Sequence, residues 1–198
     1  MKIVIIGGTG TIGKKVSALL EKDHEIIRAG SKSGDVQVDI TSEASIEAFF
    51  KKTGTFDALI STVGNGHFGP LATTTVEDFK KGLLNKLLGQ VSLVLIGQKY
   101  INPKGSFTLT SGILSDDPIR SGTNLATING ALNSFVLSAA IELENSVRIN
   151  VVSPGLVEDS LDLLPAFPGH IPVAMDKVAN AYAKSVLGAL TGQVIKVY

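Results

Sequence analysis

Two kinds of apolar pattern alternate along this chain. Short, wholly apolar runs such as Ile3-Val4-Ile5-Ile6 and Val151-Val152 are followed by longer stretches whose apolar residues return every three to four positions. The first kind fits strands covered on both faces, and the second fits amphipathic helices; their alternation is the pattern of a parallel sheet with crossover helices. The pattern predicts strands near residues 2–6, 25–29, 36–39, 57–61, 105–110, 148–153 and 193–197. Helices are expected at about 11–22, 43–52, 76–101, 123–144 and 175–190. Pro165, Pro168 and Pro172 fall within residues 161–173, which read as an irregular loop. The expectation is a doubly wound α/β fold of about seven strands, with helices on both faces, in one domain spanning residues 1–198.

Composition narrows the partners. Eighteen basic residues balance eighteen acidic ones, and neither sign forms a long run. That excludes the charge signature of a nucleic-acid or anionic-membrane partner. No apolar stretch approaches the ~20 residues that span a bilayer. The first apolar run enters glycines, unlike a leader with a small-residue cleavage site. With no cysteine there is no disulfide and no thiolate metal site. The three histidines, His24, His67 and His170, lack ligand spacing with acids, so no metal is expected. A cytoplasmic protein is the default reading.

The strongest chemical signal follows the first strand. Gly7-Gly8-Thr9-Gly10-Thr11-Ile12-Gly13 opens a helix, and two registers fit it: Gly8-x-Gly10-x-x-Gly13 and Gly7-x-x-Gly10-x-x-Gly13. In either, one glycine makes the tight turn, one admits a pyrophosphate to the backbone, and Gly13 lets helix and sheet pack closely. Free amides and the positive end of the helix dipole favour the phosphates. The contacts expected of this turn come from Gly7, Thr9, Gly10, Thr11, Ile12 and Gly13.

The end of the second strand bears on which dinucleotide binds. An Asp or Glu about 20 residues beyond the glycines usually holds the ribose hydroxyls of NAD. Here the sequence is Arg28-Ala29-Gly30-Ser31-Lys32-Ser33. A carboxylate would repel a 2′-phosphate, whereas Ser31 and Lys32 can bind one. NADP is therefore favoured over NAD, although Lys32 also fits an ordinary solvated loop position.

Later segments carry a family resemblance over nearly the whole chain. Val38-Asp39-Ile40-Thr41, Asp57-Ala58-Leu59-Ile60-Ser61-Thr62-Val63-Gly64, Gly105–Ser111, Arg148–Val157 and Thr191–Ile195 follow one another in the order and spacing of the short-chain dehydrogenase/reductase family. The resemblance implies that Asp39 and Ile40 meet the adenine, and that Thr62, Val63 and Gly64 line the cofactor groove. It also implies that Pro154, Gly155 and Val157 lie beside the nicotinamide and that Ser111 stands at the catalytic serine position.

The departures from the family are equally specific. Its commonest glycine register would put Thr11 at the middle glycine. Asn129–Val136 matches the helix from the family's lysine onward, so Asn129 replaces that lysine and Leu125 the proton-donating tyrosine. Tyr100, Tyr182 and Tyr198 lie in other elements. The family's Asn-(apolar)-x-Gly in the long helix is matched by Lys86-Leu87-Leu88-Gly89, with Asn85 taking the position if the alignment slips by one.

Ser111 either orients a carbonyl oxygen or serves turn geometry. Lys86 either replaces the missing cation and gives the proton, or is a surface lysine. His67 titrates in a useful range but resembles most solvated loop histidines. The leading expectation is an NADP-dependent oxidoreductase acting on a small carbonyl or alcohol through Ser111 and Lys86. The alternatives are a dinucleotide-binding redox sensor without catalysis, and a scaffold with an empty site. The family resemblance also implies a homodimer or homotetramer built through the 76–101 and 123–144 helices.

Overall fold

A computed structural model describes residues 1–198. Seven parallel strands form one sheet in the order β3-β2-β1-β4-β5-β6-β7. They are β1 (Lys2–Ile6), β2 (Glu25–Gly30), β3 (Val36–Gln37), β4 (Phe56–Ser61), β5 (Ile101–Thr110), β6 (Arg148–Pro154) and β7 (Gln193–Val197). The order reverses between β1 and β4, which opens a crevice at the carboxyl ends of those strands.

The period-two geometry of the strands explains the two-sided apolar runs. Val4 and Ile6 point into one core with Leu59, Phe107, Leu109 and Val151, covered by α2 (Glu43–Thr53), α4 (Gly89–Gly97) and α5 (Thr123–Glu142). Ile3 and Ile5 point into the other with Ala58, Ile60 and Val152, covered by α1 (Thr11–Leu20) and α6 (Met175–Leu187). Helix α2 starts where the Ser42 hydroxyl accepts from the Ser45 amide at 3.3 Å, and it ends at Gly54 with φ 72°. Between α2 and α5 lies α3 (Val76–Gly82), opened by a reciprocal capping box between Thr75 and Asp78.

The structure corrects several boundaries. The single helix expected over 76–101 is instead α3, a π turn at Leu83–Leu88, and α4. Ile101 begins β5 and pairs with Phe56, after which the register jumps to Ala58 opposite Ser106. Asn102-Pro103-Lys104 form this bulge, with Lys104 at φ 64°, so the segment reads as a turn in sequence. Expected β3 shrinks to Val36–Gln37, and α5 and α6 end at Glu142 and Leu187. The proline-bearing segment contains 3₁₀ turns across Glu158–Ala166. Its base is closed by a parallel bridge between Val157 and Val173, with Val173 donating to the Leu156 carbonyl at 2.7 Å. No helix is long and apolar enough to cross a membrane.

Candidate active site

The glycine turn is shaped by what it cannot hold. Gly7 has φ 82°, and a β-carbon there would lie 2.5 Å from Val63 Cγ1. At Gly13 it would lie 2.0 Å from the Gly7 carbonyl oxygen, so α1 rests directly on the turn. Gly10 is less constrained: its added carbon would be 3.3 Å from that same oxygen. The positive φ at Gly7 selects the Gly7-x-x-Gly10-x-x-Gly13 register for the tight turn. The first helical bond runs from the Lys14 amide to the Gly10 carbonyl at 2.9 Å. The amides of Thr11, Ile12 and Gly13 therefore precede the helical ladder and point past its start. No acidic residue in the first turn competes for them.

Two hydroxyls brace this turn. Thr62 Oγ1 donates toward the Ile6 and Gly7 carbonyls at 3.1 and 3.2 Å. Thr9 Oγ1 lies 2.7 Å from Ser33 Oγ, tying the turn to the loop after β2. In that loop Ser31 and Lys32 are exposed. Arg28 is engaged by Glu21, which leaves Lys32 as the cation there without a carboxylate partner.

One half of the crevice is a cleft of about 330 Å³ between β1, β2 and β4. Ser31, Asp39, Ile40, Thr62, Val63 and Gly64 all line it. The Thr41 hydroxyl and amide donate to one Asp39 oxygen at 2.7 and 2.9 Å, which holds that carboxyl below its usual range. The other Asp39 oxygen remains free to accept. Asn65 and Asn85, which carry no cofactor signal in the sequence, also line this half. The Asn85 side-chain oxygen accepts from the Asn65 amide at 2.8 Å, anchoring the β4 exit.

The other half is a smaller, mostly apolar cleft of about 200 Å³ that brings together Lys86, Ser111, Leu125, Asn129, Pro154 and Gly155. Ile12 and Val157 join them, with Leu163 and Phe167 closing the cleft from the 158–166 segment. The π turn presents Lys86 inward, where its Nζ donates to the Ser111 carbonyl oxygen at 3.0 Å. Burial without a carboxylate partner lowers its pKa from 10.5 to about 8. Lys86 faces Ser111, while its neighbour Asn85 faces the other half of the crevice.

Ser111 Oγ and Asn129 Oδ1 are buried with no hydrogen-bond partner. Asn129 Nδ2 donates to the Gly112 carbonyl at 3.3 Å. Leu125 packs so tightly over Gly66 that a β-carbon there would lie 2.5 Å from Leu125 Cδ2. No tyrosine enters from elsewhere. Tyr182 is fully buried in the α1–α6 core and bonded to Thr110 Oγ1 at 2.6 Å. Tyr100 stacks on Phe50 with centroids 5.3 Å apart, and Tyr198 bonds Asp116. His67 is not brought to Ser111; its Nδ1 lies 3.9 Å from Asp78. No three His, Asp or Glu side chains cluster so as to hold a metal.

These features fit a dinucleotide on observations internal to the chain. A β-carbon at Gly7 or Gly13 would collide with the chain's own atoms, so only glycine keeps the turn this tight; the uncovered amides at the start of α1 face the crevice, and orphaned polar atoms of Ser111 and Asn129 lie in its other half. Phe167 and Leu163 carried no signal in the sequence, because the bridge that folds their segment back joins residues sixteen positions apart, Val157 and Val173.

A doubly wound sheet with a glycine-rich turn at its switch point defines a Rossmann-type fold, the class that takes dinucleotides at this position. The chain belongs to the short-chain dehydrogenase/reductase family: a family model described as enoyl-(acyl carrier protein) reductase matches residues 11–183. It is 27% identical over 219 residues to the short-chain dehydrogenase/reductase ATR9 of Stachybotrys chlorohalonatus, covering 95% of this chain and 84% of that protein. The crystal structure of the protein lin1944 from Listeria innocua is 48% identical, covers 100% of both chains and superposes with a TM-score of 0.99. A small-chain dehydrogenase crystallised in complex with NADPH is 30% identical, with a TM-score of 0.89 over 100% of this chain and 96% of that one.

Proposed function

We propose that the protein is an NADP-dependent oxidoreductase acting on a small carbonyl or alcohol, with Lys86 and Ser111 at the reacting oxygen. The observation that carries this reading is the buried Lys86 ammonium directed at Ser111 in a mostly apolar cleft. A lysine is kept out of water at a cost unless its charge is used. The related structure that holds NADPH supports the cofactor class. Lys32 and Ser31 at the end of β2 support the phosphorylated form.

The turn at Gly7, Thr9, Gly10, Thr11, Ile12 and Gly13 would hold the pyrophosphate. Ser31 and Lys32 would take the 2′-phosphate, and Asp39, Ile40, Thr62, Val63 and Gly64 would enclose the adenosine. Pro154, Gly155 and Val157 would flank the nicotinamide, which would supply a pair of reducing equivalents when bound. Ser111 Oγ, free of any internal partner, orients the substrate oxygen. Lys86 carries positive charge beside that oxygen and, with a pKa of about 8, holds a proton at Nζ that it can release near neutral pH. Leu125 fills the family's tyrosine position with hydrocarbon and keeps water from that side. The apolar walls and small volume select a small substrate at the reacting end.

A second reading rests on Leu125 and Asn129 themselves: a protein that binds NADP(H) without turnover and reports redox state to a partner. Identifying the nucleotide that co-purifies, then following reduced-nicotinamide absorbance across a carbonyl panel, separates the two. Tight NADPH binding with no turnover on any member would favour the sensor.

A further inference from the structure

A cavity of about 620 Å³ lies apart from the cleft that holds Ser111. It lies between the 117–121 loop, Phe68 after β4, and residues 165–170 of the lid segment. The two spaces share a wall. Phe167 lines the Ser111 cleft, and its ring meets the His170 ring edge-on at 5.3 Å and 88°. His170 faces the larger cavity. The two spaces are neighbours on either side of the Phe167–His170 pair, so a molecule with its reacting end at Ser111 would reach the second space by passing that pair.

The charges there are unevenly matched. Asp117 turns its carboxylate to His170, with 3.5 Å between Asp117 Oδ2 and His170 Nε2. Arg120 lines the same cavity and has no carboxylate within salt-bridge distance. Its backbone is held firmly: the next residue, Ser121, sits at φ 65°, and its carbonyl accepts from the Gly69 amide at 3.0 Å. A non-glycine residue in the left-handed region costs free energy and persists where its surroundings enforce it, often at ligand clamps. A planar, permanently charged guanidinium on a fixed loop suits a carboxylate, which it can meet through two parallel hydrogen bonds.

The geometry points to Arg120 as a specificity residue: the substrate is a small carbonyl compound carrying a carboxylate, whose acidic end pairs with Arg120 while its carbonyl lies at Ser111. This deepens the oxidoreductase reading and rests on it for the identity of the carbonyl end. The test is equilibrium binding by calorimetry at low salt, with the protein saturated with NADP+, which cannot reduce the carbonyl probes. The probes are oxo acids of increasing length, from pyruvate to 7-oxooctanoate, against methyl ketones of matching length. At least one acid should bind about tenfold or more tightly than its ketone, the effect of one well-formed charged pair. Arg120→Gln should remove that preference and Arg120→Lys should keep part of it. Circular dichroism checks that both variants remain folded. Equal binding of acids and ketones, or an unchanged preference in Arg120→Gln, overturns the inference. Because the readout is binding, the two ideas fail separately. Arg120-dependent binding without turnover upholds the subsite and removes the enzyme, whereas turnover of ketones without a preference for acids does the reverse.

Discussion

Gly64 and Lys86 are in contact along the backbone of one and the stem of the other: a β-carbon on Gly64 would stand 2.5 Å from Lys86 Cγ and 2.8 Å from Lys86 Cα. Gly64 also has φ 127°. The close approach fixes how deeply the π turn seats against the β4 exit, and so where Nζ arrives. Gly64→Ala should destabilise the protein by about 1–3 kcal/mol from overpacking, with a conformational cost of similar size. Urea denaturation measures the loss. A midpoint matching the wild type would mean the helix yields freely and does not fix Lys86.

Lys86 itself should cost stability. Its folded pKa lies near 8, against 10.5 in an unfolded chain. Below about pH 8 the native state bears the full penalty of a buried charge. Between about 8 and 10.5 the unfolded chain binds more protons, so native stability rises with pH. Lys86→Met should therefore be more stable than wild type at pH 7, by about 1–3 kcal/mol after the lost hydrogen bond is deducted. The gap should narrow by pH 10. Denaturation at the two pH values decides it, and a variant less stable at pH 7 would contradict the assignment of burial as the dominant cost.

For the cofactor, NADPH should bind more tightly than NADH, and Lys32→Ala should weaken NADPH by about 1–3 kcal/mol while leaving NADH nearly unchanged. Titration calorimetry with both nucleotides reads the difference. Equal affinities would remove the 2′-phosphate from the loop after β2.

Catalysis should follow the same lysine. Under saturating NADPH, Lys86→Met and Ser111→Ala should each lower carbonyl turnover, by roughly 10²-fold or more for the group that handles the proton. The wild-type rate should fall as pH rises through about 8, where Lys86 gives up its proton. Full turnover in both variants would move the chemistry elsewhere. Leu125→Tyr combined with Asn129→Lys should raise activity if the remaining pocket is intact.

We further expect self-association through α4 and α5. Leu95 is 53% exposed, Leu137 54% and Ile141 86%, and these side chains lie on the helices that the family resemblance assigns to subunit pairing. Leu93, Val94, Leu132 and Val136, on the same two helices, are spent in the core. Light scattering should give at least two chains per particle, and Ile141→Asp should shift it toward one. A monomer at micromolar concentration would count against the interface.

Much of this was legible in sequence for physical reasons. Strand runs apolar on both faces and the glycines around Gly7 encode their own geometry, so the sheet and the cradle could be read locally. Ser111, Leu125 and Asn129 met in one cleft because their spacing was tied to recognisable elements. What could not be read was set by contacts distant in sequence. The start of β5 lay hidden behind Asn102-Pro103-Lys104, whose bulge is held by the Asn102 side chain donating to Asp57 at 2.7 Å and by the Lys104 amide donating to the Asn145 carbonyl at 2.9 Å. Arg120 and His170 gained meaning only when the lid segment folded back over the 117–121 loop.

The π turn at Leu83–Leu88 has a consequence for how such a site can change. Neighbouring residues Asn85 and Lys86 serve opposite halves of the crevice from one widened turn. A π turn holds one residue more than the α-helix it interrupts, so loss of a single residue within it would restore ordinary α-helical winding and re-register the side chains of the turn. A different side chain would then meet Ser111, although no remaining residue had altered its chemistry. The register of this helix, and therefore insertion or deletion as much as substitution, sets which functional group the pocket presents.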